Sequence, residues 1–551
     1  MHDLHLAFRF LSKDRSFSLL AVLVLALGIG AVATQFSVVN GMLLRPPAYP
    51  HAERLVSISM VDTQRNLSLG GASLPDFVAW RDTQQSFAEF AAYAARLSIN
   101  VTHQDTPRRY NGVYVTHDFF RTLGVTPALG RDFTADDDRE GAAKTIIVSH
   151  AVWQTDFGGA ADVIGRSVRI NGRPGTIVGV MPAGFSFPLN EQVWAPFFAE
   201  FPLRPRGDAQ VGGGAVLGRL KPHATPAQAA AELTASAQVF AKEWPATNQH
   251  LTAVEVRPFT ETFFGPQIRQ VLFLMLGAVG VVFLIACVNV MNMQFARATR
   301  RMRDLAVCSA LGASRGRLLR QMLLESLVLA LAGGTAGLLF ATWATDALLR
   351  QARTLRAPPP SWVTFDLDGR VVAVLIAVTV GAAVLSGIVP AWFAARGRPL
   401  DMLRDGGRGG PGRRVNVIIR ALVVLQIALT AALLIVSSFM VRSIVNQQRI
   451  DRGYDTGAVL TARMTLFQAD YPSNDALVRF YDRVLTALRS DPQFTHAALT
   501  SRFRLAISNT SPCEIEGETY LNEQSRPESA FETISDGYFS ALGLRLLEGR
   551  D

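Results

Sequence analysis

The sequence predicts a membrane α-helical protein with five spans and α+β domains outside the bilayer. Three observations carry that prediction. Five long apolar runs hold no charged residue, arginines gather on alternate connections between them, and two polar stretches have patterning of their own.

Of the 551 residues, 49% are hydrophobic and 18% charged, with a mean hydropathy of +0.21. That is too apolar for an ordinary soluble chain and too charged for one wholly in lipid. The length allows several domains, each able to bury a core. A net charge of +9 and a pI near 9.8 raise the question of nucleic acid. The arginines, however, flank the apolar runs, as membrane topology requires, and this argues against a nucleic-acid partner.

The uncharged runs cover 16–44, 271–296, 326–345, 371–395 and 421–441. A helix needs about 20 apolar residues to cross a bilayer, and such runs are too long for helices in a soluble core. Lys13, Arg15 and the Ala31-Val32-Ala33 triplet give the first run some look of a cleaved leader. It continues through Phe36, Val38 and Val39 to Leu44, longer than a leader's apolar core, and reads as a retained anchor.

Arg9, Lys13 and Arg15 precede span 1. Arg297, Arg300, Arg301, Arg303, Arg315, Arg317 and Arg320 fill the connection between spans 2 and 3. Arg396, Arg398, Arg404, Arg408, Arg413 and Arg414 fill that between spans 4 and 5. By the positive-inside bias all three lie in the cytoplasm, and the amino terminus with them. The connection 346–370 is least biased: its four arginines are accompanied by Asp346, Asp366 and Asp368.

The expected organisation is a cytoplasmic segment 1–15, span 1 at 16–44, and an outer domain 45–267. Then come 268–396 with spans 2 to 4 and the loop 297–320, a linker 397–417, span 5 within 418–441, and a second outer domain 442–551. The first outer domain reads as folded. Val168 and Ile170 alternate with polar residues, Asn171-Gly172 signals a type I′ turn, and Thr176 to Val180 returns. An Ala-rich helix is expected over 226–242, with Trp153, Trp194 and many Phe as core material.

The second outer domain repeats the first. Phe119-Phe120-Arg121-Thr122-Leu123-Gly124 matches Tyr538-Phe539-Ser540-Ala541-Leu542-Gly543, and Gly130-Arg131-Asp132 matches Gly549-Arg550-Asp551 at the same spacing. Each copy follows a span, so a duplicated unit is expected. On that reading the chain looks like a fragment that stops within the second copy. About 270 further residues would complete the repeat, and a half domain should leave a bare sheet edge and exposed apolar surface.

Between spans 2 and 3 stands Arg301-Met302-Arg303-Asp304-Leu305-Ala306-Val307, then Ala310-Leu311-Gly312-Ala313, Gln321 and Glu325-Ser326. Residues 297–310 have helical periodicity, Gly312 suits a helix stop, and Ser314 suits the cap of the next helix. A short helix joining two spans passes displacement to both. Chemistry alone favours a plainer role for its arginines, holding lipid headgroups and setting topology. Glu325 at the entry of span 3 is either functional or paired with Arg317 or Arg320. Gly333, Gly334 and Gly337 suggest close helix packing, and Pro390 a kink in span 4.

These segments resemble the MacB-type and FtsX-like permeases of ABC systems, most narrowly the duplicated permeases of acidobacterial genomes. The resemblance also rests on Phe8-Arg9-Phe10-Leu11 with Ser16-Phe17, and on Val163-Ile164-Gly165 through Gly179-Val180-Met181-Pro182. It implies outer domains of the MacB periplasmic core type. It also implies that Arg301, Arg303, Asp304, Leu305, Ala306, Leu311, Gly312, Ala313, Gln321 and Glu325 serve coupling to an ABC ATPase subunit. The family usually has Glu at the place of Asp304 and Arg at that of Cys308, which weakens the docking inference though not the fold.

No Walker A pattern occurs. The glycine-rich 406–412 lacks the terminal Lys-Ser/Thr and reads as a linker. The nine His residues show no metal spacing, Cys308 has no paired base, and the acidic run 136–140 lacks calcium-loop spacing and reads as a solvated turn. No catalytic, cofactor or metal residue is assigned, and ATP hydrolysis is expected from a separate subunit. Two functions follow: a permease subunit of the bacterial inner membrane that moves its outer domains to export or release a substrate, or a non-transporting FtsX-like regulator. The expected partners are an ATPase, membrane lipid, and a periplasmic adaptor or envelope enzyme.

Overall fold

The computed structural model describes residues 14–47, 49–104, 106–208, 211–300, 315–355, 358–396, 413–449, 453, 457–462, 464, 466, 471, 473–501, 510–520 and 526–548. The chain divides into two compact units. One is Met1–Pro47 with Phe263–Asn446, and the other Ala48–Thr262 with Gln447–Asp551.

The first unit holds all five expected spans. They lie in helices Arg15–Val39, Pro266–Arg300, Arg315–Arg353, Gly369–Arg396 and Arg413–Arg449. Span 1 ends in a π-helical turn, Asn40–Leu44, and the span 4 helix continues through Pro390. Spans 1 to 4 pack together around Ala21, Leu25, Ile29, Cys287, Val290, Leu329, Ala330 and Ala382. The apolar stretch of span 5 is unburied along its length.

Lipid is as apolar as a leucine side chain, so helices in a membrane associate through close packing rather than hydrophobic expulsion. Small residues make that approach possible here. A Cβ placed on Gly337 would lie 3.0 Å from the Ala26 carbonyl oxygen and 3.1 Å from the Gly30 nitrogen, so spans 1 and 3 meet backbone to backbone. The expected role of the span 3 glycines is thereby met.

In the second unit, residues 55–258 form one mixed sheet. Its strands are β1 (Leu55–Asp62), β2 (Leu67–Ser68), β3 (Ala72–Ser73), β4 (Phe87–His103), β5 (Thr106–Val115) and β6 (Leu129–Gly130). β7 (Lys144–Val148), β8 (Ser167–Ile170), β9 (Arg173–Val180), β10 (Val193–Pro196), β11 (Gly213–Leu220) and β12 (Ala253–Pro258) complete it. The main order is β12-β1-β11-β4-β5-β10-β7-β9-β6, with parallel pairs at β5/β10 and β7/β9. The β8–β9 hairpin turns at Asn171 and Gly172, whose φ of 48° and 81° are those a type I′ turn needs. Helix Pro226–Glu243 begins with a capping box of Thr225 and Gln228.

One sheet serves two cores. Phe77, Trp80, Phe90, Val216, Leu233 and Ala237 form the first, and Ile99, Tyr114, Ile146, Val168, Ile177 and Val193 the second. Strand β4 belongs to both. Its first half, with Phe87 and Phe90, faces one core, and its second half, with Ile99 and Val101, the other. The register against β5 shifts between Ala94 and Leu97, the kind of irregularity that bends a strand and re-aims its side chains.

Among residues 447–551, the described elements are helix Asn474–Ser490, a two-stranded ladder of β13 (Thr510–Pro512) and β14 (Glu528–Ala530), and the turn Tyr538–Ala541. The two matched segments end in the same type of glycine turn, one that many helices share. Gly124 has φ 70° and Gly543 φ 68°. The amides of Gly124 and Val125 donate to Arg121 and Phe120, as those of Gly543 and Leu544 donate to Ser540 and Phe539. The Gly549–Asp551 half of the match lies outside the described residues. Phe531 and Leu547 are exposed, Leu547 by 86%.

Gly337→Leu is expected to lower the thermal unfolding midpoint of the detergent-solubilised protein, since overpacking costs about 1–3 kcal/mol. Gly381→Ala, whose added methyl meets nothing within 4 Å, should leave it unchanged. Circular dichroism melts of the two variants provide the check.

Candidate functional site

Of the expected coupling residues, Arg301, Arg303, Asp304, Leu305, Ala306, Leu311, Gly312 and Ala313 lie outside the described residues. Gln321 and Glu325 do not: both stand in the first turns of the span 3 helix, Gln321 half-buried.

Glu325 pairs with Arg297, the first charge after the span 2 run, through Oε2 and Nη1 at 3.5 Å. The same guanidinium lies 3.9 Å from Asp14 Oδ2 and 4.9 Å from the centre of the Phe17 ring. One arginine therefore touches the ends of spans 1, 2 and 3. Reading the sequence offered Arg317 or Arg320 as partners of Glu325 and missed Arg297, because the two lie on different helices and no periodicity relates them. Next to Glu325, Ser326 donates across to Gln294 Oε1 at 2.9 Å. Their side chains are buried, as Gly387 allows by packing against Ser326. With 11% and 15% of their side chains exposed, Arg297 and Glu325 are poorly hydrated, so each depends on the other's charge.

At the other end of the bundle the aspartates of the connection 346–370 are engaged by span 1. Asp366 binds Arg45 at 2.9 Å and accepts from Thr364 at 2.7 Å. The Thr364 hydroxyl, followed by Arg45, holds the Asp366 carboxyl below its usual range. Asp368 caps span 4 by accepting from the amides of Arg370 and Val371, and also accepts from Asn40 Nδ2 at 2.8 Å. Arg370 donates to the Leu44 carbonyl at 2.8 Å.

The α/β domain gathers aromatics from distant parts of its chain. Tyr49, just after span 1, packs on Phe185 and Phe187. Phe259, shortly before span 2, packs on Phe187 at 4.9 Å. Phe119, Phe120 and Trp194 extend the cluster. Beside it, Arg219 donates to the carbonyls of Pro50, His51 and Thr122 and fastens the incoming chain.

The acidic run 136–140 is a turn, as expected, and Asp136, Arg139 and Glu140 are exposed, but its two middle carboxylates are not solvated. Asp137 and Asp138 are buried. Asp137 receives two bonds from Arg131 and two from Thr134. Asp138 accepts from the amides of His117 and Phe198 at 2.9 and 2.7 Å, and its carboxylate lies 3.5 Å from His117 Nδ1. Asp118 sits 3.2 Å from His117 Nε2. The run ties two loops together because buried carboxylates need donors. Among the described residues no three His, Cys, Asp or Glu stand where they share a metal ion.

The chain thus combines five helices long and apolar enough to cross a membrane with a mixed α/β domain. Residues 18–236 match the family described as MacB-like periplasmic core domain, and 276–399 that described as FtsX-like permease C-terminal. The chain therefore carries a MacB-like periplasmic core domain followed by an FtsX-like permease domain. It is 27% identical over 318 residues to the macrolide export ATP-binding/permease protein MacB of Escherichia coli K12, and equally to that of Shigella flexneri. The match covers 57% of this chain and 46% of each relative, so the chain spans about half the length of the curated relatives it matches. Among solved structures it is similar to the periplasmic region of MacB from Actinobacillus actinomycetemcomitans, with 13% identity and TM-score 0.28, over 40% of this chain and 91% of that one. A domain of a putative permease from Porphyromonas gingivalis gives 16% identity and TM-score 0.30, over 38% and 93%.

Two predictions follow from these clusters. Glu325→Ala should destabilise the bundle by about 1–3 kcal/mol, less than for a fully buried pair. Arg297→Ala, which also removes the contacts to Asp14 and Phe17, should lower the thermal midpoint further than Glu325→Ala.

The second concerns pH. The hydrogen bond with Asp138 raises the His117 pKa above its ordinary 6.5 despite burial. Its contribution is therefore complete below pH 6.5 and lost as pH rises through the higher folded value. Burial pushes the Asp132 carboxyl up from 3.8 to about 6, so its contribution is lost across that lower window, and the slope above it belongs to His117. The midpoint followed by aromatic circular dichroism should fall between pH 6 and 8, and His117→Gln should flatten that slope.

Proposed function

We propose that the chain is the transmembrane permease subunit of an ABC system. ATP hydrolysis by a partner ATPase moves its α/β domains to export or release a substrate. On this reading the arginine-bearing connections and the amino terminus are cytoplasmic, the α/β domains are outside, and Arg301 to Ala313 with Gln321 and Glu325 receive the ATPase. The observation that carries the reading is the Arg297 hub. The coupling segment 301–313 follows the span 2 helix directly in the chain, and Arg297 joins the ends of spans 1, 2 and 3. A push delivered to that segment reaches three helices at once. The relatives' names combine macrolide export with ATP binding, which supports export powered by nucleotide.

The protein co-purified with its ATPase tests this. Arg303→Ala with Asp304→Ala should cut permease-stimulated ATP hydrolysis at least tenfold, by the loss of about 1.4 kcal/mol or more of coupling. Stimulation at the full rate would overturn the assignment of the coupling segment.

A further inference from the structure

We infer that the segment from Pro358 to Asp368, between spans 3 and 4, is a yoke that holds the end of span 1 and the start of span 2 as one mechanical body. These two helix ends are the roots of the α/β domain, because the chain enters it from one and leaves it into the other. The inference deepens the coupling reading and rests on it for its purpose, but its test uses neither nucleotide nor ATPase.

The segment is stiff at both ends. Pro358, Pro359 and Pro360 lock three consecutive φ angles. The Val363 amide then donates back to the Pro360 carbonyl at 2.9 Å, and Asp368 anchors the far end as the cap of span 4.

On the span 1 side the grip is polar. Ser37 donates to the Phe365 carbonyl at 2.8 Å, Asn40 to Asp368, and Arg45 to both Thr364 and Asp366. Gly41 makes this possible, since any Cβ there would collide with the Thr364 carbonyl oxygen.

On the span 2 side the grip is apolar. Trp362 packs edge-on against Phe263 and Phe264, with ring centres 5.5 and 6.0 Å apart. Val363 and Phe365 bury themselves in one cluster with Val38 and Val39 of span 1 and Leu272 of span 2. Directly between the two roots, the described side-chain hydrogen bond is that of Gln35 to the Leu272 carbonyl, at the 3.5 Å limit. The loop thus makes shorter bonds to span 1 than span 2 does at this level, while stacking on span 2 through Trp362.

Hydrogen exchange of the full chain in nanodiscs separates a yoke from two independent contacts. Trp362→Ala removes the span 2 grip, and Asp366→Asn weakens the span 1 grip. A yoke predicts crossed effects: Trp362→Ala speeds exchange at Asn40–Arg45, and Asp366→Asn speeds it at 268–272, each roughly tenfold. Trp343→Ala, an exposed aromatic of span 3, should do neither. Acceleration confined to each variant's own root overturns the inference. Should Trp362→Ala lose protection throughout the bundle, Thr364→Ala and Asp366→Asn decide by whether 268–272 responds. Failure here with ATPase stimulation still sensitive to Arg303 and Asp304 would remove the yoke and leave the coupling reading standing.

Discussion

The contact of span 1 with span 3, backbone against backbone at Gly30 and Gly337, sets the position of everything else in the membrane unit. In lipid no expulsion of water drives helices together, so a seam of small residues has to supply the approach. Once span 1 lies in that seam, its first turn brings Asp14 and Phe17 to Arg297. Its last turn brings Ser37, Asn40 and Arg45 to the segment before span 4. The two ends of the bundle are organised by opposite means. One concentrates charge on a single guanidinium. The other disperses it among hydroxyls, an amide and capped carboxylates.

Connectivity joins these ends to the α/β domain by very short links. Arg45 is followed by Pro46 and Pro47, and Tyr49 is already in the aromatic cluster. On the return path Phe259 is in that cluster, and Phe263, four residues on, packs against Trp362. Within the α/β domain, Arg219 fastens Pro50 and His51 through their carbonyls.

The sequence made the spans legible because length and absence of charge are local properties, and the same holds for the Asn171-Gly172 turn and the 226–242 helix. The glycine that ends each matched segment was equally legible, since Gly124 and Gly543 both adopt the left-handed conformation that helix ends favour. What stayed hidden was pairing across distance. Glu325 finds Arg297 on another helix, and Asp366 finds Arg45, more than 300 positions earlier in the chain. In the run 136–140 the solvated ends were legible from their charge, whereas the donors that bury Asp137 and Asp138, among them His117, Arg131 and Phe198, come from elsewhere in the chain. Trp362 gave no signal at all, since an aromatic beside prolines reads as loop. Most of the expected coupling residues, Arg301 to Ala313, fall outside the described part of the chain.

Strand β4 gives the α/β domain an unusual economy. Because the irregularity between Ala94 and Leu97 turns one continuous backbone from the Phe90 core to the Ile99 core, the two halves share a spine, and Phe198 packs against both. A change of volume in either half therefore reaches the other through the ladder and through that shared ring, so the two cores are neighbours rather than strangers.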